Sequence, residues 1–170
     1  MKYKITIFVI LLTIQCQSKV DSLLLNDFSQ SFFKALKKQD QTAFDQLLIN
    51  KENFTAGIKK HISDPNKKDR WTYIINSSWD STFQAFTTTS KANFKHILKS
   101  GKKSKINWNE IIFKKHKYIE TNKDPELQYL MFKLYFSYKK EEYFIKVKDI
   151  ILLEDNYYIG ELKKGFRKLN

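Results

Sequence analysis

Cysteine, proline, glycine and arginine are scarce in this chain, and some of these shortages exclude a class of protein. The 170 residues include one cysteine, two prolines and four glycines. One cysteine cannot form an intramolecular disulfide, so a disulfide framework is excluded. Four scattered glycines supply no glycine-rich phosphate loop. Only Arg70 and Arg167 are arginines, although Lys and Arg together number 31.

Long apolar runs are also absent, apart from one at the N-terminus. Met1–Lys4 is a short basic start, and Ile5–Ile14 is apolar except for two threonines. This pattern is typical of a secretory signal peptide, and it falls short of the roughly 20 apolar residues that span a bilayer. We therefore expect residues 1–15 to be a signal peptide that is removed on export.

The only cysteine, Cys16, lies where this apolar run stops. The segment FVILLTIQCQSK around it resembles the cleavage site of bacterial lipoproteins. The resemblance implies that Cys16 becomes the acylated first residue, with residues 16–25 as a tether and the lipid bilayer as a partner. It also implies an outer-membrane anchor, with the domain facing the periplasm or the cell surface. The three residues before Cys16 depart from the usual pattern, and plain secretion with cleavage after Ser18 is the alternative.

Basic residues exceed acidic ones, and the net charge is +13. Such an excess often accompanies nucleic-acid binding. Here, however, the lysines are interleaved with acids, and arginine, which reads phosphate and guanine with two hydrogen bonds, is nearly missing. We expect a solvated, lysine-rich surface and no nucleic-acid partner. Attraction to an anionic envelope polymer or to lipid headgroups, screened by salt over about 8 Å, is the alternative.

Apolar residues recur at helical spacing through the first part of the domain. Residues 26–49 predict a helical hairpin, in which Asn26 or Asp27 caps the first helix and Asp40 caps the second. A third helix is predicted over Glu52–His61.

Residues 66–100 predict a further helical segment. It is either one long helix, kinked at the β-branched segment Thr87–Thr89, or two helices with Ser90 as the second cap. Gly101 is expected to end it. Apolar residues at every fourth position from Trp71 to Phe83 are expected to face the core.

From Ile106 onward the apolar period changes from helical to two, which is typical of strands. The short connections predict that sequence neighbours pair antiparallel as a meander. Helices followed by strands indicate an α+β fold, in which N-terminal helices, a hairpin plus a long helix, pack on one face of a curved four-stranded antiparallel sheet. We expect a single domain over residues 26–170. The predicted strands cover residues 111–119, 130–138, 143–151 and 157–162.

Two segments resemble the nuclear transport factor two-like superfamily, which includes SnoaL-like and ketosteroid isomerase-like proteins. FFKALKKQDQTAFDQLL (Phe32–Leu48) is similar to its opening helical hairpin, and YFIKVKDIILLEDNYYIGEL (Tyr143–Leu162) to its closing strand hairpin. The segment INWNEIIFKKHKYI, with that ending, also resembles uncharacterised lipoproteins of Bacteroidota. The resemblance implies a cone-shaped fold with an apolar pocket, which serves in enzymes, ligand binders and scaffolds.

Few residues qualify as catalytic or ligand-binding groups. His61, His96 and His116 have no partners at metal-ligand spacing. We therefore expect three solvent-exposed histidines, no metal site and no cofactor.

Asp149 interrupts the apolar alternation of its strand, on the face that is predicted to be buried. An inward carboxylate in a pocket would act as a base, with Tyr118 or Tyr135 as a hydrogen-bond donor. Glu110 would face the same cavity in a different strand register. A bulge that turns Asp149 towards solvent is the alternative.

These observations favour a non-enzymatic binding or accessory module of the cell envelope, anchored through acylated Cys16. Its expected ligand is an anionic envelope polymer or a small hydrophobic molecule. An isomerase- or hydratase-like enzyme that uses Asp149 in a cone pocket is the alternative function.

Overall fold

The computed structural model describes residues 20–121 and 127–169. The expected signal peptide (residues 1–15) and the expected lipidation site Cys16 lie outside the described residues. Within the described part of the chain, no helix is both long and apolar enough to cross a membrane.

Helices form the first part of the domain, as predicted, and a polar side chain caps the start of each of the first four. The second helix begins where expected, because the Asp40 side chain accepts a hydrogen bond from the backbone N–H of Ala43 at 2.9 Å. The helices are α1 (Ser22–Lys38), α2 (Gln41–Asp45), α3 (Lys51–His61), α4 (Pro65–Ser78) and α5 (Gln84–Lys103), with a π-helical turn at Trp79–Phe83 and a 3-10 turn at Trp108–Glu110.

The first helix begins earlier than the predicted start at Asn26. The Asp21 side chain accepts hydrogen bonds from two backbone N–H groups, at 2.9 and 3.1 Å, and α1 begins at Ser22. Leu25 is fully buried and extends the apolar stripe of the helix by one turn. The expected tether covered residues 16–25, but its last residues, from Ser22 onward, belong to the folded domain.

The second helix is shorter than its apolar stripe predicts. It ends at Asp45, and Leu48 instead forms a parallel bridge with Ile159. The Ile159 N–H donates to the Leu47 carbonyl at 2.7 Å, and the Ile49 N–H donates to the Ile159 carbonyl at 3.0 Å. Backbone pairing with the last strand thus replaces a further helical turn.

The segment 65–103 is one continuous helical run, but the predicted details of its middle and end were wrong. Its irregularity is the π-helical turn at Trp79–Phe83 and not the threonine segment. Ser90 does not cap a helix, because its buried hydroxyl accepts a hydrogen bond from the Leu162 N–H at 2.9 Å. Gly101 lies inside α5 against Trp108, where a Cβ would lie 2.2 Å from the indole ring.

A four-stranded antiparallel meander follows the helices, and its strands pair in sequence order. The α+β fold class is therefore confirmed. Two-residue turns at 139–140 and 154–155 connect the last three strands. The strands are β1 (Ile112–Glu120), β2 (Tyr129–Tyr138), β3 (Glu141–Leu153) and β4 (Asn156–Lys168).

Buried side chains of the described residues form two clusters, one on each face of the sheet. The larger cluster packs α1, α2 and α5 against what we call the core face. The smaller cluster packs α3, α4 and the π-helical turn against one end of the opposite, outer face. Consecutive residues Ile150 and Ile151 belong to different clusters, as alternation along a strand requires.

The prediction of helices on a single face was therefore incomplete. β3 and β4 are longer than predicted, and both faces of their shared end are apolar. Leu152 and Tyr157 point to the core face, whereas Leu153 and Tyr158 belong to the smaller cluster. This second apolar face needs a cover, which α3 and α4 supply.

Candidate functional site

Aromatic rings fill the core face, which is where the superfamily resemblance implies a pocket. Phe28 of α1 contacts Phe132 of β2 edge to face, with ring centroids 5.3 Å apart. Phe44 of α2 stacks on Phe94 of α5 at 4.1 Å. Phe44, Phe94 and Phe132 are fully buried.

Asp149 lies on the outer face and not on the core face. Register shifts on both sides of this residue reverse the alternation that begins at Tyr143, so a bulge is present, although it does not turn Asp149 fully towards solvent. Asp149 is half-buried beside Glu161 at a small notch of about 120 Å³. Phe83, Phe86 and Tyr129 supply apolar surface to the same notch.

The structure does not bring Tyr118 or Tyr135 to Asp149. Tyr118 faces Phe132 in the sheet and is 43% exposed, whereas Tyr135 is buried on the outer face opposite Phe144. Both border a separate hollow of about 120 Å³.

Glu110 is not at the notch either. It lies in the 3-10 turn, where its carboxylate accepts a hydrogen bond from the Asn107 amide at 2.7 Å.

The expectation that His116 is solvent-exposed was wrong. Its Nδ1 lies 2.9 Å from the Ser29 hydroxyl of α1, and its ring stacks on Phe132 with a centroid distance of 5.7 Å. Burial lowers the pKa of His116. The lysines on both sides of His116 concealed this position, because they belong to the opposite face of an edge strand.

The other two histidines differ from each other. His96 is exposed, as expected, whereas His61 at the end of α3 is half-buried. Among the described residues, no three His, Cys, Asp or Glu side chains lie close enough together to hold a metal ion.

Several cations that form no ion pair with a described acid lie together on the outer face. A hollow of about 470 Å³ opens there across β2, β3 and β4. We call it the basic hollow. Its lining residues are Lys133, Phe144, Lys146, Lys163, Lys164, Gly165 and Arg167.

Strand register aligns several of these lysines directly opposite one another. Lys117 of β1 faces Lys133 of β2, which in turn faces Lys146 of β3. Neighbouring strands lie about 5 Å apart, and like charges at directly opposed positions destabilise a sheet. This row therefore lowers the stability of the fold, and packing alone does not explain it.

A bulge in β4 shapes the basic hollow. Ile145 pairs with Phe166 and Val147 pairs with Leu162, so Lys146 alone faces the three residues 163–165. The turn within this bulge depends on Gly165, whose φ of 84° suits glycine and strains other residues. Irregular bulges of this kind often re-aim side chains next to functional sites.

Aromatic rings form the floor of the outer face at this point. Phe144 lies opposite Tyr135 on one side and Arg167 on the other. The Lys133 ammonium lies 5.1 Å from the centre of the Phe144 ring, and the Lys115 ammonium lies 5.5 Å from that of Tyr135. Both ammonium groups thus lie over aromatic rings, at cation–π distance.

One carboxylate borders the basic hollow, and two lysines neutralise it. Glu161 binds Lys163 at 2.6 Å and Lys148 at 2.9 Å. Burial opposes its ionisation, but the hydrogen bonds from both lysines outweigh burial and hold the pKa of Glu161 below its ordinary value. Lys163 is thus paired. The remaining cations of the hollow form no ion pair with any described acid: Lys133, Lys146, Lys164 and Arg167.

Sequence reasoning missed the basic hollow because its members are distant in the chain and look like ordinary surface lysines. The pairing register of the strands brings Lys133, Lys146 and Arg167 together. The bulge in β4 also cannot be recognised from the alternation of polar and apolar residues. The signal available in the sequence was the basic cluster that contains Lys163, Lys164 and Arg167. Comparisons of this chain with protein-family models, with curated proteins and with solved structures find no match, so the likeness to the nuclear transport factor two-like superfamily stays a prediction.

Proposed function

We propose that this protein is an exported, membrane-anchored lipoprotein of the cell envelope whose domain is a non-enzymatic binding or accessory module. The apolar leader of residues 1–15, followed by Cys16, supports export and acylation. The observation that carries the binding role is the basic hollow, where four cations have no acidic partner among the described residues. An anionic component of the envelope is the partner that this charge favours.

The anchor and the basic outer face support each other in this proposal. A domain tethered close to an anionic surface meets its partner at high effective concentration. Electrostatic attraction then acts within about one Debye length of the rim, roughly 8 Å at physiological salt.

Mass spectrometry of the mature N-terminus tests the anchor. We expect a chain that begins at acylated Cys16 and sediments with membranes. The variant Cys16→Ala should lose the lipid mass and leave the membrane fraction. An unmodified mature chain that begins at Lys19 contradicts the proposal.

The Asp149 notch supports the alternative of an isomerase- or hydratase-like enzyme, or of a site for a small hydrophobic ligand. A half-buried carboxylate and three aromatic rings line this notch, which is the kind of residue set that such an enzyme uses. The test is isomerisation of a β,γ-unsaturated ketone by the wild-type chain and by Asp149→Asn. Turnover that disappears in the variant supports the enzyme, and no turnover in the wild-type chain counts against isomerase activity on this substrate.

A further inference from the structure

We infer that the basic hollow is a binding site for a phosphate ester, in which the phosphate lies among Lys146, Lys164 and Arg167 and its carrier rests on the Phe144 ring. The inference deepens the binding role proposed above, since it names the chemical class of the ligand. It depends on that proposal only for the place in the cell where the protein meets its ligand.

The number of cations without acidic partners points to a ligand with more than one negative charge. Glu161 pairs with Lys163, and Glu142 and Asp149 share the outer face but do not line the hollow. A phosphomonoester carries a charge of about −1.5 to −2 and three acceptor oxygens. A single carboxylate would leave most of the cations uncompensated.

The kind of cation also favours phosphate. Arg167 is one of only two arginines in the chain, and it lies directly opposite Phe144. A guanidinium binds phosphate oxygens with two parallel hydrogen bonds, and lysines add mobile point charges around it. Lys164 lines the same hollow as this pair, and the space beside Gly165 is open, since a Cβ there would meet nothing within 4 Å.

The volume of the basic hollow and its aromatic lining indicate what kind of group carries the phosphate. A volume of about 470 Å³ is in the range of small-molecule sites. The Phe144 ring is half-buried next to the cations, and its apolar surface is shared with Lys133, whose ammonium lies 5.1 Å from the ring centre. A compact carrier, such as a sugar ring or the glycerol part of a lipid headgroup, would lie on it, whereas a long polymer is not required to fill the site.

The opposed lysines of the sheet are a further argument for an anionic ligand, independent of the volume and lining of the hollow. Lys133 and Lys146 lie directly opposite each other across the strands and repel each other. A bound phosphate relieves this repulsion, so binding should stabilise the fold as well.

Binding is measured by calorimetry on the full chain, held in micelles of a neutral, non-ionic detergent. Pyrophosphate serves as the free phosphate, and phosphatidic acid mixed into the micelles serves as the headgroup. Citrate, phosphatidylcholine and a short single-stranded DNA are the comparison ligands. The variant Lys146→Gln with Arg167→Gln removes two cations from the hollow. Its matched control, Lys95→Gln with Lys99→Gln, removes the same charge from exposed positions on α5.

We expect pyrophosphate, phosphatidic acid or both to bind, with the affinity about tenfold lower in the hollow variant and within about twofold in the control. Arg167→Lys, which keeps the charge but loses the paired hydrogen bonds, should fall between them. Binding of phosphatidic acid alone assigns the ligand to a membrane headgroup, and binding of pyrophosphate alone assigns it to a free phosphate. Thermal unfolding of each variant verifies that it is folded.

Four results would overturn the inference. Two concern the comparison ligands: citrate binds as tightly as pyrophosphate, or DNA binds more tightly than either phosphate ligand and loses affinity equally in the hollow variant. The other two are equal losses of affinity in the hollow and control variants, and no phosphate binding at all. The two proposals fail separately. A lipidated chain without phosphate binding removes only this inference, and a chain with phosphate binding but no acylated Cys16 removes only the envelope anchor.

Discussion

The scarcity of glycine has a local consequence at Gln39, the residue that ends α1. Gln39 adopts φ 55°, and its N–H bonds back to the carbonyls of Ala35 and Leu36. Glycine is the residue usually found at this position, because a Cβ is disfavoured in the left-handed region. Three further described residues that are not glycines also adopt positive φ: Lys105, Lys139 and Glu154.

Replacing Gln39 with glycine should therefore stabilise the protein. We expect Gln39→Gly to raise the free energy of unfolding by about 0.5–1 kcal/mol, measured by urea denaturation. Lys38→Gly is the matched control one residue earlier, inside the helix, and should lower stability by about 1 kcal/mol. The same loss in both variants would contradict the argument.

His116 makes the stability of the fold depend on pH. Its pKa is lowered by burial from the ordinary value of 6.5. As the pH falls below 6.5, the unfolded chain binds a proton that the folded chain accepts only at lower pH, so this contribution to stability is lost between the two values.

The variant His116→Gln should remove that contribution. We expect the variant to lose less stability than the wild-type chain between about pH 7.5 and about pH 5.5. Urea denaturation at each pH measures the free energy of unfolding of both chains. His96→Gln changes an exposed histidine and should leave the wild-type dependence intact. An unchanged pH dependence in His116→Gln would show that burial does not hold this imidazole in its neutral form.

At the scale of elements, the sequence predicts those features that apolar periodicity and helix caps determine. Asp40 and the strand alternation from Leu130 to Tyr138 locate a helix start and a buried strand face, because local chemistry decides both. The end of α2 is decided instead by backbone bonds to Ile159, a residue far along the chain. The bulges beside Asp149 and Gly165 depend on pairing between strands, which a single sequence does not display.

The row of opposed lysines gives a prediction for the sheet. Lys146→Gln should relieve repulsion with Lys133 and raise the free energy of unfolding by about 0.5 kcal/mol at low salt. The gain should shrink between about 0.02 M and about 0.5 M NaCl, because salt screens the repulsion. Thermal or urea unfolding in both buffers measures it, with Lys95→Gln as the exposed control. A gain that does not depend on salt would mean that side-chain propensity is responsible.

On the scale of the whole molecule, the helical run from Pro65 to Lys103 links the two faces of the sheet. Its first part, α4, belongs to the smaller cluster, whereas Phe94 and Ile97 of α5 belong to the larger one. The strands of the sheet contribute to both clusters. The sequence predicted the helices and the meander but not this division, because the division depends on which apolar face each helix covers.

This division predicts that the smaller cluster unfolds on its own. Phe54 of α3 is fully buried there and contacts the rings of Trp71 and Phe83, with centroids 5.6 and 4.9 Å away. Phe54→Ala should cost about 3–5 kcal/mol in that cluster. We expect hydrogen exchange to show lost protection in α3 and α4, while β2 and the core-face half of α5 stay protected.

The matching change in the larger cluster should behave differently. Phe94→Ala removes a fully buried ring that stacks on Phe44 at 4.1 Å. Because the larger cluster includes residues from every strand of the described sheet, this variant should lose protection in the helices and the sheet together. Equal, uniform loss in Phe54→Ala and Phe94→Ala would mean that the domain unfolds as one unit, and that α3 and α4 are as firmly held to the outer face as α1 is to the core face.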